Sequence, residues 1–424
     1  MDTIFALSSG SPPAAIAVVR ISGPQAQDAL RALAGEVPEL RQLQLANLRG
    51  RSGELLDRGL VVFFPASGSV TGEDLAELHL HGGRTVVAAV ERALGELPGL
   101  RRAEAGEFTR RALAHGKIDL AEAEGLADLL SAETELQRRI ALGQVGGLLS
   151  RKVEDWREQL LVLSAQLEAV LDFDDEDDVA VLSPQFTLGL EALARDVSAA
   201  LSVPAAEKLR EGFRIAIAGP PNAGKSTLFN RLLGSEAAIA TPVAGTTRDV
   251  IERPVAVEGV PLTLVDMAGL HDATNDAVEV IGIARARAEL DRADLVLWLG
   301  PEDEGPEGCW EIAAQADRDE GVAKADPKFS LSAVTGEGIE PLMAALVEAA
   351  RAALPRPGEA VLNRRQRELV ERASVALREA GEGSDPLIVA EHLRAARVAF
   401  DALLGRTSTE DVLDEIFGRF CIGK

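Results

Sequence analysis

The chain contains no tyrosine, and aromatic residues make up only 4% of its 424 positions, so its cores must be largely aliphatic. It has two cysteines, Cys309 and Cys421. They cannot make a disulfide framework, which agrees with a reducing compartment. No apolar run approaches the length of a membrane span. The opening Met1-Asp2-Thr3 has neither a basic region nor a cleavage-site pattern, so a cytoplasmic location is expected. Positive charge is also scarce: 44 Lys and Arg against 68 Asp and Glu leave a net charge of −24. That balance disfavours a broad electrostatic grip on nucleic acid and leaves RNA contact local, or to a partner.

What is present is a 46% hydrophobic composition, enough for the cores of two or three domains. Residues 1–118 read as a small α/β unit. Ala15 to Ile21 and Leu60 to Phe64 are expected as buried strands, Glu77 to His81 as an alternating strand, and Pro24 to Leu33 and Arg84 to Leu94 as amphipathic helices. Residues 119–209 turn helical, with apolar residues at helical spacing in Ala121 to Leu130 and Val153 to Leu171. The run Asp172 to Asp178 reads as a solvated acidic loop, since the spacing and glycine of an EF-hand are missing. Residues 210–355 carry short strands and helices. Residues 356–424 are helical again, from Asn363 to Leu404 and Thr409 to Phe417. The expected fold is multidomain α/β, with a nucleotide module inserted into a helical domain.

The chemistry is concentrated at Phe213 to Thr227, FRIAIAGPPNAGKST. An apolar strand ends in Gly219, and Gly224-Lys225-Ser226 opens a helical pattern, the layout of a P-loop. Glycines let backbone N–H groups close around phosphate oxygens, and the helix N-terminus adds its positive dipole end. Lys225 is expected to reach the terminal phosphates and the Ser226 hydroxyl to hold Mg²⁺, with Asn222, Ala223 and Thr227 in the same loop. Downstream, Thr241-Pro-Val-Ala-Gly-Thr246-Thr247-Arg248-Asp249 supplies threonines able to complete the Mg²⁺ shell, Thr247 among them, and to sense the γ-phosphate. Asp266-Met-Ala-Gly269 follows an apolar strand and places a Mg²⁺-contacting carboxylate and a γ-phosphate N–H donor.

Base reading is expected from Ala323-Lys324-Ala325-Asp326, with Asp326 accepting from guanine, Lys324 packed over the base, and Ala323 where GTP-binding modules commonly present Asn. Ser332-Ala333 fits the loop closing behind the base. Leu270 stands where many small GTPases place a glutamine, and leucine cannot orient water; Glu279, Asp249 and Arg248 are the candidates for that work.

The chain resembles the MnmE (TrmE) family of tRNA-modification GTPases over essentially its whole length. The resemblance rests on VVRISG (Val18 to Gly23), TGEDLAELHLHGG (Thr71 to Gly83), GEFTRRAL (Gly106 to Leu113), GPPNAGKST, GTTRD and the terminal FCIGK (Phe420 to Lys424). It implies an N-terminal tetrahydrofolate-binding and dimerising domain (1–118), a helical domain in two parts (119–209 and 356–424), and a Ras-like P-loop G domain inserted between them (210–355). It also implies a partner, the flavoprotein MnmG, which carries FAD. Together the two install an aminomethyl-type group on carbon five of a tRNA wobble uridine, using a folate one-carbon unit. Arg20, Glu77, Lys117 and Lys424 correspond to folate-contacting positions. Asn222, with backbone oxygens of Thr241, Val243 and Thr246, corresponds to a K⁺ site that stands in for an arginine finger when G domains dimerise. Glu279 corresponds to a water-orienting residue, Arg248 and Asp249 to positions coupling the switch to modification, and Cys421 to a family cysteine proposed to matter for modification. Ala323, His271 (commonly Arg) and the short stretch Pro301 to Val322 depart from the family pattern, and Cys309 matches no family position. The alternative reading is a regulatory switch of the ribosome-assembly kind, for which folate-type residues have no use. A third is a folate-dependent transferase in which nucleotide is only structural.

Overall fold

The apolar stretches of the first hundred residues pair into one six-stranded sheet. The structure is a computed structural model and describes residues 2–172, 182–235, 238–240, 251–267, 287–317, 324–407, 410–418 and 420–424. The chain divides into two compact units, residues 1–127 with 401–424, and residues 128–400.

In the first unit, β1 (Thr3–Leu7), β2 (Ile16–Ser22), α1 (Ala26–Ala34), β3 (Gln44–Arg49), β4 (Leu55–Phe64), β5 (Leu75–His81), α2 (Arg84–Gly95) and β6 (Leu100–Arg102) precede α3 (Glu107–Ala114). The sheet order is β3-β4-β5-β2-β1-β6. Strand residues alternate sides, so Val19 and Ile21 point into a core with Leu30, Leu78 and Val90, while Arg20 faces the other way. The expected strands and helices are present, with β4 reaching back to Leu55. The structure adds β1, β3 and β6, short or half-exposed strands whose pattern is weak. The C-terminal tail joins this unit: Ile422 bridges Ala105, the Phe108 N–H donates to the Lys424 carbonyl at 3.2 Å, and the Ser8 hydroxyl donates to the Gly423 carbonyl at 2.8 Å. Gly423 has φ 99°, and a side chain there would run into the Leu7 carbonyl.

Helix α4 (Leu120–Ser131) leads into the second unit, where α5 (Glu135–Val145), α6 (Leu148–Asp172), α7 (Pro184–Ala200) and α8 (Ala206–Glu211) are followed by the nucleotide sheet. That sheet comprises β7 (Phe213–Ala218), β8 (Ala238–Ala240), β9 (Ile251–Val257), β10 (Val260–Asp266), β11 (Leu295–Trp298), β12 (Trp310–Ala313) and β13 (Phe329–Ser330), with α9 (Lys225–Leu233) after β7 and α10 (Ile339–Ala353) at its end. Its order is β13-β12-β11-β7-β10-β9-β8. Strands β10, β7, β11, β12 and β13 run parallel, and β8 and β9 are antiparallel additions. Strand β7 is buried throughout, as a central parallel strand must be.

After the sheet come α11 (Arg364–Glu382), α12 (Pro386–Leu403) and α13 (Glu410–Phe417). The run expected as one helix from Asn363 to Leu404 is two, because Gly383 ends the first and Pro386 opens the second. Helix α11 packs on α7, Arg367 donates to the carbonyls of Leu201 and Val203 at 2.9 and 2.8 Å, and Ser198 meets Ser374 at 2.9 Å. Helices that flank the sheet in sequence therefore join in space, and the nucleotide module is an insertion between them. Trp156 is fully buried against Phe400, with ring centroids 5.5 Å apart, and its indole N–H donates to Asp196 at 2.6 Å. Among the described residues no helix is long and apolar enough to cross a membrane.

Candidate nucleotide-binding site

Strand β7 ends at the point in the sheet order where neighbours lie on both sides, the position at which parallel α/β sheets hold ligands. The loop that follows needs conformations open chiefly to glycine: Gly219 has φ 147° and Gly224 has φ 94°. Gly224 is also the N-cap of α9, so Lys225 and Ser226 begin the helix. The buried Lys225 ammonium donates to the Gly219 carbonyl at 2.9 Å and the Pro220 carbonyl at 2.8 Å. Its charge is thus held inside the curve of the loop. Ser226 and Thr227 are exposed at the helix start, Asn222 is exposed with φ 64°, and Ala223 is buried beneath the loop.

Asp266 closes β10 in register with Ile217 of β7, and is 3% exposed. A hydroxyl at the helix start and a carboxylate on the adjacent strand end are the oxygen donors a hard divalent cation takes, so these residues fit Mg²⁺. Thr241, Val243, Thr246, Thr247, Arg248, Asp249, Gly269, Leu270, His271, Glu279 and Ala323 lie outside the described residues.

The base pocket is where sequence and structure part. Gly224, Thr227 and Leu228 line a cleft with Ala314, Gln315, Asp317, Leu331, Ala333 and Val334. Asp317, not Asp326, lines it. Strand β12 ends at Ala313, and Ala314, Gln315 and Asp317, which follow it, line the cleft. The Gln315 amide donates to the Asn222 carbonyl at 3.1 Å, and the buried Ser332 hydroxyl donates to Asp317 at 2.6 Å. Lys324 is committed elsewhere: its side chain is wholly buried, donates to the Trp298 carbonyl at 2.9 Å and pairs with Glu311. The N–H groups of Ala325 and Asp326 bind the Glu302 carboxylate at 2.7 and 2.8 Å, which holds that carboxyl below its usual range. The Lys324–Asp326 loop is therefore held by the side chains of Glu302 and Glu311. Gln315 stands two places before Asp317, where the Asn-Lys-x-Asp pattern has lysine, and the signal that marks Asp317 is its place shortly after a strand and ahead of Ser332-Ala333. Ser332 and Ala333 are where the sequence places them, behind that cleft. Burial, with the Glu311 carboxylate nearby, pushes the Cys309 thiol up, which disfavours its thiolate.

The charged residues of the first unit form a second grouping. Arg20 and Glu77 are direct cross-strand partners, joined at 2.8 and 3.0 Å, and His79 stands 3.3 Å from the other Glu77 oxygen. The Arg20 guanidinium lies over the Phe108 ring, 5.8 Å from its centroid, and the Phe108 N–H holds the backbone of Lys424. Arg20, Glu77 and the tail are thereby neighbours. The Lys117 ammonium donates to the Ser67 carbonyl at 3.3 Å. Cys421 is exposed in the tail.

A family profile described as "MnmE helical domain" matches residues 120–421, and one described as "GTP-binding protein TrmE N-terminus" matches residues 3–117. The "tRNA modification GTPase MnmE" of Erythrobacter litoralis is 60% identical over 424 residues, covering all of both chains. Its namesake from Novosphingobium aromaticivorans is 58% identical over 435 residues, again covering both chains fully. That of Rhizorhabdus wittichii is 56% identical over 426 residues, covering all of this chain and 97% of its own. The chain belongs to the tRNA modification GTPase MnmE family.

Proposed function

We propose that this chain hydrolyses GTP with Mg²⁺ and that, as a homodimer working with the flavoprotein MnmG, it drives installation of an aminomethyl-type group on carbon five of a tRNA wobble uridine. The working parts divide at residues 1–118, 119–209, 210–355 and 356–424, in the cytoplasm. The observation that carries the reading is the Lys225 ammonium held by the Gly219 and Pro220 carbonyls, beside a cleft that Gly224 and Asp317 share. A cation so placed trades two carbonyls for phosphate oxygens, while the exposed start of α9 offers N–H donors to the same phosphates. Ser226 and Thr247 hold Mg²⁺, and Asp266 supports it. Asn222, with backbone oxygens of Thr241, Val243 and Thr246, would hold K⁺, whose charge would stand in for an arginine finger when G domains dimerise. Glu279 orients the water, and Arg248 and Asp249 couple hydrolysis to modification. Asp317 reads the base in place of Asp326.

The Arg20–Glu77 pair supports a folate site in the first unit: a carboxylate accepts from the pterin N–H groups, and Arg20, Lys117 and Lys424 suit the glutamate carboxylates. Cys421, exposed in the same tail, is assigned to the modification step.

Turnover of GTP and ATP in KCl and in NaCl at equal ionic strength tests the reading. GTP turnover alone, raised by K⁺ and lost in Asn222→Ala, is the expected result. Equal rates in both salts overturn the K⁺ assignment, and ATP turnover overturns the base assignment. Cells lacking the gene are expected to lose the wobble-uridine modification; normal modification there overturns the tRNA role.

A further inference from the structure

Strands β9 and β10 form a hairpin with seven residue pairs in register, from Val257–Val260 to Ile251–Asp266. Its open end connects covalently to both phosphate-sensing stretches: 241–250 runs into β9, and β10 runs through Asp266 toward Gly269 and Glu279. Its closed end is the two-residue turn Glu258-Gly259, with φ 49° and 76°, the left-handed pair that tight hairpins require.

That turn is gripped by the first turn of α5. The Leu136 N–H, one of the donors a helix start cannot satisfy internally, donates to the Gly259 carbonyl at 2.9 Å. Thr134 and Gln137 cap the helix reciprocally, and the Gln137 amide also donates to the Leu209 carbonyl at 3.0 Å. The Leu136 side chain packs against two cores, that of the nucleotide sheet and that of Ile140, Ala206, Leu209 and Val361. Glu258 is tied to Arg351 at 2.9 Å. There is no slack at the contact, since a Cβ on Gly259 would stand 2.9 Å from the Glu135 Cβ.

We propose that the β9–β10 hairpin is the lever that passes nucleotide state to the helical residues, and that the Leu136–Gly259 contact is where it docks. Two paired strands of seven residues extend roughly 23 Å at about 3.3 Å per residue. Their ladder of paired bonds resists bending, so displacement at the open end arrives at α5 rather than dissipating. The proposal rests on the GTPase reading. Leu136 and Gly259 are positioning residues, remote from the phosphate loop.

Hydrogen exchange of the full-length protein, loaded with GDP or with a non-hydrolysable GTP analogue, tests it. The start of α5 should change its exchange rate between the two states by at least about threefold. Gly259→Ala should remove that difference while GTP affinity and turnover stay within about twofold of the parent. Leu136→Ala, which keeps the backbone N–H and a normal φ, should weaken it and serves should Gly259→Ala fold poorly. An α5 that ignores nucleotide in an active parent overturns the lever, as does a full response in both variants. A parent that does not hydrolyse GTP overturns the functional reading itself.

Discussion

The Gln315 amide donates to the carbonyl oxygen of Asn222 at 3.1 Å, and both residues hold left-handed backbones, with φ 62° and 64°. The bond ties the end of β12 to the phosphate loop. A lysine would fix that junction with a charge; here a neutral amide does so, and Ala314 beside it offers no side-chain hydrogen bond to a base.

In the proposed reading, base discrimination falls on one carboxylate, that of Asp317. Asp317→Asn is expected to weaken GTP binding roughly 10- to 100-fold, the worth of a charge-assisted hydrogen bond of about 1.5–3 kcal/mol. Asp326→Asn should leave binding unchanged, because its loop is closed on Glu302. Equilibrium titration of both variants with GTP decides the matter, and the opposite ranking would return the role to Asp326.

Gly224 has φ 94°, and a Cβ there would lie 3.3 Å from the Gln315 amide nitrogen. Gly224→Ala should cost about 1–2 kcal/mol through left-handed strain. It should also push Gln315 off Asn222. The expected outcome is nucleotide affinity reduced at least tenfold, with a far smaller fall in thermal midpoint, measured by GTP titration and calorimetry. Equal affinity would mean the loop rearranges freely.

The phosphate loop was legible in sequence because its glycines have one job each: φ 147° at Gly219 and 94° at Gly224 are conformations other residues avoid. The base pocket was not. Lys324 and Asp326 have the right residue types at the right spacing, but spacing does not reveal that Glu311 and the Trp298 carbonyl enclose the lysine. Strand β12 is four residues long and β13 two, too short for alternation to stand out. The edge strand β3 hid for another reason: Leu45 on it is 52% exposed, so apolar and polar residues do not sort by side. Arg20 and Glu77 could be named from the family resemblance, whereas their direct pairing is a fact of register.

Leu45 and Leu60 stand directly opposite one another on β3 and β4, both exposed, and Leu60 is paired in turn with His79. These exposed leucines are a candidate surface for the proposed second copy. Leu45→Glu combined with Leu60→Lys should halve the mass measured by light scattering. A parent with the mass of a single chain would overturn the proposed dimer, and a dimeric parent whose mass the variant keeps would place the contact elsewhere.

Glu107 opens α3 beneath the first sheet. Burial pushes its carboxyl up, but bonds from Arg101 at 2.5 and 2.8 Å, from the Glu104 N–H at 2.9 Å and from Arg111 at 3.0 Å outweigh this and hold it below the ordinary glutamate range. A carboxyl with a depressed folded value adds stability that is fully present above its unfolded value and is lost as pH falls through the folded one. The first unit should therefore lose stability on acidification below the ordinary glutamate range. Glu107→Gln should lower stability by about 1–2 kcal/mol at neutral pH and flatten that acid limb, since no proton is then taken up at this position. Thermal midpoints of parent and variant between pH 7 and pH 3 separate the cases. Parallel acid limbs would assign the loss to other carboxylates, with Asp2, bound to the same Arg101 and Arg111, the first to replace.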